Sequence, residues 1–156
     1  MNDSMEEAIL YAKKYLEDLL SFFGLNTDVY ATSDDEVIQL AVPSTHLNGF
    51  LIGHNGDNMR SFQYLVSTAL KNNNFGQTRV NVDIADYKKQ RAERLREKAE
   101  VWVKGVRDTG TPMDLEPMNA ADRRIIHQLA VEYGVTSESV GEGRDRHIVL
   151  TKVDEA

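Results

Sequence analysis

Two short stretches of this 156-residue chain hold residues whose types and spacing could do chemistry. The first is Ile52-Gly53-His54-Asn55-Gly56, a G-x-x-G turn. Glycines three apart let a backbone approach a phosphate with no side chain in the way, and a helix starting directly after them adds unpaired N–H groups and a positive dipole end. His54 and Asn55 would supply hydrogen bonds. The second stretch is Arg123-Arg124-Ile125-Ile126-His127, where Arg123 and His127 stand four apart and project from one side of a helix. Arginine forks onto a phosphate, and a neutral histidine donates one hydrogen bond or stacks on a base. Taken alone, the same residues also fit a plain helix corner and a solvated helix face.

Other chemistries find no support. The chain has no Cys, which removes disulfide frameworks and thiolate nucleophiles or metal ligands. His46, His54, His127 and His147 are scattered without ligand spacing, so no metal is expected. The glycines fit neither a dinucleotide fingerprint nor an NTPase phosphate loop, and no nucleophile elbow is present. We expect no cofactor and no enzyme.

The elements around the two stretches can be read from periodicity. Met5, Ala8, Ile9, Ala12, Tyr15, Leu16, Leu19, Leu20 and Phe23 recur at helical spacing up to Gly24. Residues 29–32 and 37–42 read as a hairpin linked by Ser33-Asp34-Asp35-Glu36. Ser44 is placed to cap a short helix ending at Ile52, and Asp57 to cap the next, which carries Met59, Phe62, Leu65, Val66, Ala69 and Leu70. Val80, Val82 and Ile84 alternate as a half-buried strand. The first half is therefore α-β-β-α-α-β. Residues 87–106 form a long helix with Leu95, Ala99, Trp102 and Val106 inward, and residues 108–118 should be irregular. Asn119 caps a further helix with Asp122 at its third position, ending near Gly134. Residues 135–140 and 148–153 form a closing hairpin around Gly141-Glu142-Gly143-Arg144-Asp145. Trp102, Phe22, Phe23, Phe50 and Phe62 fall on apolar stripes and are expected in the core.

With 41% hydrophobic and 28% charged residues the chain has a globular composition. Its formal charge of -7 argues against a protein that coats polyanions nonspecifically. The charge is uneven: residues 1–50 hold 2 basic and 9 acidic side chains, residues 51–107 hold 11 and 6, and residues 108–156 hold 5 and 10. The basic middle fits a local anion-binding face. No apolar run reaches bilayer length and the N-terminus lacks signal-peptide character, so a cytoplasmic protein without a membrane span is expected.

Leu51-Ile52-Gly53-His54-Asn55-Gly56, followed by Met59 and Phe62 within that element order, resembles a KH domain of the prokaryotic type over residues 1–85. Residues 108–156, with Arg123 to His127 and Ser139-Val140-Gly141-Glu142-Gly143-Arg144-Asp145-Arg146-His147, resemble the R-x-x-x-H domain, with the basic helix 86–107 connecting them as part of the second domain. The pair, together with Asp83-Ile84-Ala85-Asp86-Tyr87 and Thr109-Gly110, is similar to the bacterial Jag family. The resemblance implies an α+β fold that binds single-stranded RNA, and a regulator of cell elongation or division. It implies a strand held between the G-x-x-G turn and an apolar groove at Ile52. Relatives place Arg or Lys between the glycines, whereas this chain has His54 and Asn55, then Asp57. The family's small N-terminal domain is not recognised here, so roles that depend on it are not expected. Arg60, Lys88, Arg91, Arg123, Arg124, Arg144 and Arg146 are candidate phosphate contacts, offered with both modules as one surface. A second KH-domain protein or self-association is the alternative partnership, in which the KH-like region is a degenerate protein-interaction adaptor.

Overall fold

The computed structural model describes residues 3–34 and 36–154. The chain is α+β and divides into two compact units, residues 1–88 and 89–156.

The N-terminal unit opens with helix α1 (Asp3–Ser21), whose Ala8, Ala12, Leu16 and Leu20 repeat every four residues and are fully buried. This stripe covers one face of a three-stranded sheet ordered β1 (Tyr30–Asp34), β2 (Val37–Val42), β3 (Val80–Ile84). β1 and β2 are antiparallel; β2 and β3 are parallel, with Leu40 opposite Val82. A parallel return needs a long crossover, supplied here by α2 (Asn48–Ile52), a 3-10 turn over His54–Gly56, and α3 (Asp57–Asn72). Ile38, Leu40, Val42, Val80, Val82 and Ile84 alternate inward against α1 and against Met59, Phe62, Val66 and Leu70 of α3.

The C-terminal unit packs α4 (Tyr87–Thr109, its first two residues in the N-terminal unit) and α5 (Ala120–Glu132) with a second antiparallel sheet ordered β4 (Met113–Asp114), β6 (His147–Lys152), β5 (Val135–Val140). Ala99, Val103, Val106, Ile126, Leu129, Ile148 and Leu150 form its core.

Several expectations need correction. β1 extends through Asp34, because Ser33 and Asp34 pair with Ile38 and Val37, so the hairpin link is shorter than four residues; Asp35 lies outside the described residues. Ser44 does not cap α2: Leu47 stands at the cap position without a side-chain bond. Asn48 does the local work, its Oδ1 accepting from Thr45 N at 2.7 Å and its amide donating to Ser44 Oγ at 2.7 Å. Asp57 is the first residue of α3 rather than its cap, which is Gly56 at φ 80°, ψ 15°. Phe22, Phe23 and Phe50 are exposed (85%, 42% and 55%): α1 stops at Ser21 and its stripe ends before the first two, while Phe50 lies on the short helix α2, of which only Leu51 is buried. Phe62 is buried and Trp102 half-buried against the second core. The irregular stretch contains β4, too short to show alternation. α4 also buries Val103. Among the described residues no helix is long and apolar enough to cross a membrane.

Candidate nucleic-acid interface

The G-x-x-G turn is a corner between α2 and α3 with a glycine at positive φ on each side. Gly53 sits at φ +72°, and a Cβ there would stand 2.7 Å from Asn58 Cγ and 2.9 Å from Asn58 N. Gly56, at φ +80°, has Tyr87 and Arg60 where a side chain would begin. Asn55 between them is left-handed too, a conformation asparagine tolerates better than most residues. The corner is braced from within. Asn58 Nδ2 donates to Phe50 O at 2.6 Å, and Arg60 donates to Asn55 O at 2.9 Å and to the Asp57 carboxylate. Gly56 N–H donates to Gly53 O and Asp57 N–H to His54 O. His54 and Asn55 are exposed at the tip with their side chains 3.2 Å apart, while Ile52 is half-buried against the core.

Lys88, beside this corner, donates from its main-chain N–H to Asp83 at 3.3 Å and from Nζ to Asn81 Oδ1. Burial holds its ammonium below the usual lysine range, with Arg60 adding to the depression and Asp83 opposing it.

In the C-terminal unit α5 is held at its start by Asn119, whose Oδ1 accepts from Asp122 N at 2.9 Å. That frees the Asp122 carboxylate to take both guanidinium nitrogens of Arg91. Arg91, selected as a phosphate contact on charge alone, is thus committed to holding α4 against α5. The helix then projects Arg123 and His127 from one side, as their spacing requires. Arg123 donates to Met118 O at 2.6 Å, and His127 Nδ1 meets Ser137 Oγ of β5 at 2.6 Å, which leaves Nε2 for another partner. A hollow of about 330 Å³ is walled by Ala120, Arg123, Arg124, His127, Gln128, Ser139 and Arg146. A second, of about 530 Å³, lies on the other side of Arg123 over the start of α5, between Asn119, Ala120 and Arg144. No carboxylate lines either one. Arg146 is steadied by Gly141 O at 3.1 Å, and among the described residues Arg124 and Arg144 have no ion-pair partner.

Sequence reasoning quoted Ser139 within a motif but gave it no role in the site. Its Oγ is buried and, among the described residues, the one side-chain polar atom in that state without a partner. The signal was available: Ser137 and Ser139 are two apart on a strand and share a face. Among the described residues no group of three His, Asp or Glu is placed to hold a metal.

The family model of the R-x-x-x-H domain matches residues 90–152. The chain is 36% identical over 104 residues to the RNA-binding protein KhpB of Clostridium symbiosum, a match covering 66% of this chain and 47% of that protein. It is 30% identical over 143 residues to the protein of the same name from Lactiplantibacillus plantarum, covering 91% and 44%. Against KhpB of Bacillus subtilis it is 28% identical over 152 residues, covering 93% and 71%. The chain thus spans about half the length of the first two relatives. It belongs to the Jag family, and its Arg123 to His127 motif lies inside an R-x-x-x-H domain.

Proposed function

We propose that this chain binds single-stranded RNA through two modules: a prokaryotic-type KH domain over residues 1–85, and the R-x-x-x-H domain over residues 108–156 with the basic helix 86–107 attached to it. One observation carries the reading. Arg123, Arg124, Arg144, Arg146 and His127 surround two hollows that meet at Arg123 and contain no carboxylate, in a chain whose overall charge is -7. A local cluster of one sign on a molecule of the other selects a phosphate chain without coating it. The relatives' name, RNA-binding protein KhpB, supports RNA as that chain.

In the KH-like module the strand would run past the corner, with a phosphate received by the N–H groups of His54 and Asn55, which stand at the start of a helical turn. Gly53 and Gly56 let it approach, and Ile52 would border the bases. With Arg60 engaged in bracing, contact there rests on main-chain donors more than on charge, and the R-x-x-x-H domain supplies most of the electrostatic attraction. Regulation of bacterial cell elongation or division is the role this binding would serve.

The test is a salt titration of affinity for single-stranded RNA. Each neutralised phosphate weakens binding by roughly 0.7 log unit per log unit of salt. A steep line supports the reading; a flat one sinks it in favour of a protein-interaction adaptor.

A further inference from the structure

The chain holds two Asn-Gly pairs, Asn48-Gly49 and Asn55-Gly56, and the fold treats them differently. A glycine after asparagine has no Cβ to shield its nitrogen, so that nitrogen can attack the side-chain amide and expel ammonia. Asn48 is withheld from this reaction: its Oδ1 accepts from Thr45 N and its Nδ2 donates to Ser44 Oγ, both at 2.7 Å. The Asn55 amide lies exposed at the tip of the G-x-x-G corner. Its Nδ2 meets a proton carrier, His54 Nε2, at 3.2 Å.

Two contacts hold the corner closed against the reaction. At φ 51° and ψ 29° Asn55 keeps the Gly56 nitrogen on the far side of the backbone from its own side chain, so ring closure requires the Asn55-Gly56 peptide to swing round. That swing breaks the bond from Arg60 Nη1 to Asn55 O, at 2.9 Å, and the longer one from Gly56 N–H to Gly53 O, at 3.3 Å. The reaction is therefore gated by a local opening and not by global unfolding.

We propose that Asn55 is a deamidation site, with Arg60 as the latch that times it and His54 as the group that protonates the departing nitrogen. In the open corner the Gly56 nitrogen bonds to Asn55 Cγ and loses its proton to solvent. The Cγ–Nδ2 bond breaks, and ammonia leaves with a proton from the imidazole, which solvent restores. Water then opens the cyclic imide at either carbonyl, giving aspartate or, with the main chain rerouted through the side chain, isoaspartate. Either product puts a carboxylate at the tip where the RNA-binding reading places a phosphate, and the inference rests on that reading for this consequence alone. A bound strand holds the corner shut, so idle copies age faster than engaged ones.

The full chain is incubated in neutral buffer and its peptides are mapped by mass spectrometry, with Asn48 as the control inside the same molecule. Asn55 is expected to convert about tenfold faster or more, the worth of the two hydrogen bonds on the Asn48 amide. In urea the two sites should converge, since only the shared dipeptide then counts. Equal rates in the folded chain overturn the proposal. Arg60→Met is expected to speed Asn55 about three- to tenfold with Asn48 unchanged, because one hydrogen bond of the closed corner is lost. His54→Ala is expected to slow it about tenfold, less than a general acid in a closed site achieves. An unchanged Asn55 rate in either variant overturns the proposal as well. The affinity of the aged chain for octauridylate is then compared with that of the fresh chain, and a drop is expected. Undiminished affinity removes RNA from the corner and leaves the modification standing, so the two readings fail separately.

Discussion

Arg91 grips Asp122 through both nitrogens of its fork, at 2.7 and 2.9 Å, across 31 residues of sequence. The carboxylate is buried while the arginine stem stays half in solvent, so the pair is neither a surface ornament nor a fully desolvated charge. Arg91→Met leaves a buried carboxylate without its fork and is expected to cost about 1–3 kcal/mol of stability, less than for a fully buried pair because solvent can reach the site. Urea unfolding checks this, and Arg91→Met with Asp122→Leu is expected to recover part of the loss.

Gly53→Ala and a change of both His54 and Asn55 to Asp separate the shape of the corner from its chemistry. The alanine meets Asn58 at 2.7 Å in a left-handed backbone, which is expected to destabilise by about 1–3 kcal/mol. The double aspartate variant alters only exposed tip residues, so its melting temperature should stay put while RNA affinity drops. Intact affinity in that variant would place the contact elsewhere.

Arg123 borders both hollows of the C-terminal unit. Arg123→Ala is expected to weaken RNA binding and to flatten the salt dependence by roughly 0.7, the share of one phosphate. A loss of affinity with the slope intact would mean that Arg123 acts by holding Met118 O rather than by touching RNA.

Glu100 accepts hydrogen bonds from Lys104, 2.7 Å away, and from the Tyr133 hydroxyl, and these hold its carboxyl below the usual glutamate range. A carboxyl depressed on folding adds stability above its unfolded value and loses it as pH falls through the folded one. Glu100→Gln is therefore expected to melt earlier than the unaltered chain at neutral pH, with the gap closing on acidification. Scanning calorimetry across the carboxylate range tests this, and a constant gap would show that Glu100 acts through packing.

Leu16 and Phe22 sit six residues apart and differ in everything that matters for stability. Leu16 is fully enclosed, and its replacement by alanine should cost about 2–5 kcal/mol; Phe22→Ser should change stability by less than about 0.5 kcal/mol. Both are read from chemical unfolding midpoints.

That last pair also marks where the sequence was legible. Four-residue spacing identified Ala8, Ala12, Leu16 and Leu20, and two-residue spacing identified Val80, Val82 and Ile84, because burial of a face imposes a period. The Asn119 cap could be read because its partner lies three residues away. Phe22 and Phe23 misled because a stripe does not announce the residue at which its helix stops. β4 was invisible since two residues have no period, and the fates of Arg79 and Arg91 were hidden because their partners lie 43 and 31 residues away in sequence. Charge gave candidate contacts; only geometry told which cations were already taken.

The C-terminal sheet places β6 between β4 and β5, so the strand translated after the other two is the one both must pair with. Until residues 147–152 have left the ribosome, β4 and β5 have no ladder to join, and Ser137 and Ser139 have no fixed place beside α5. A nascent chain interrupted before that point would carry Arg123 and His127 on a helix without the wall that aims them. The hollow walled by Arg123, His127 and Ser139 therefore depends on β6, the last strand among the described residues, although the helix that carries Arg123 and His127 precedes it.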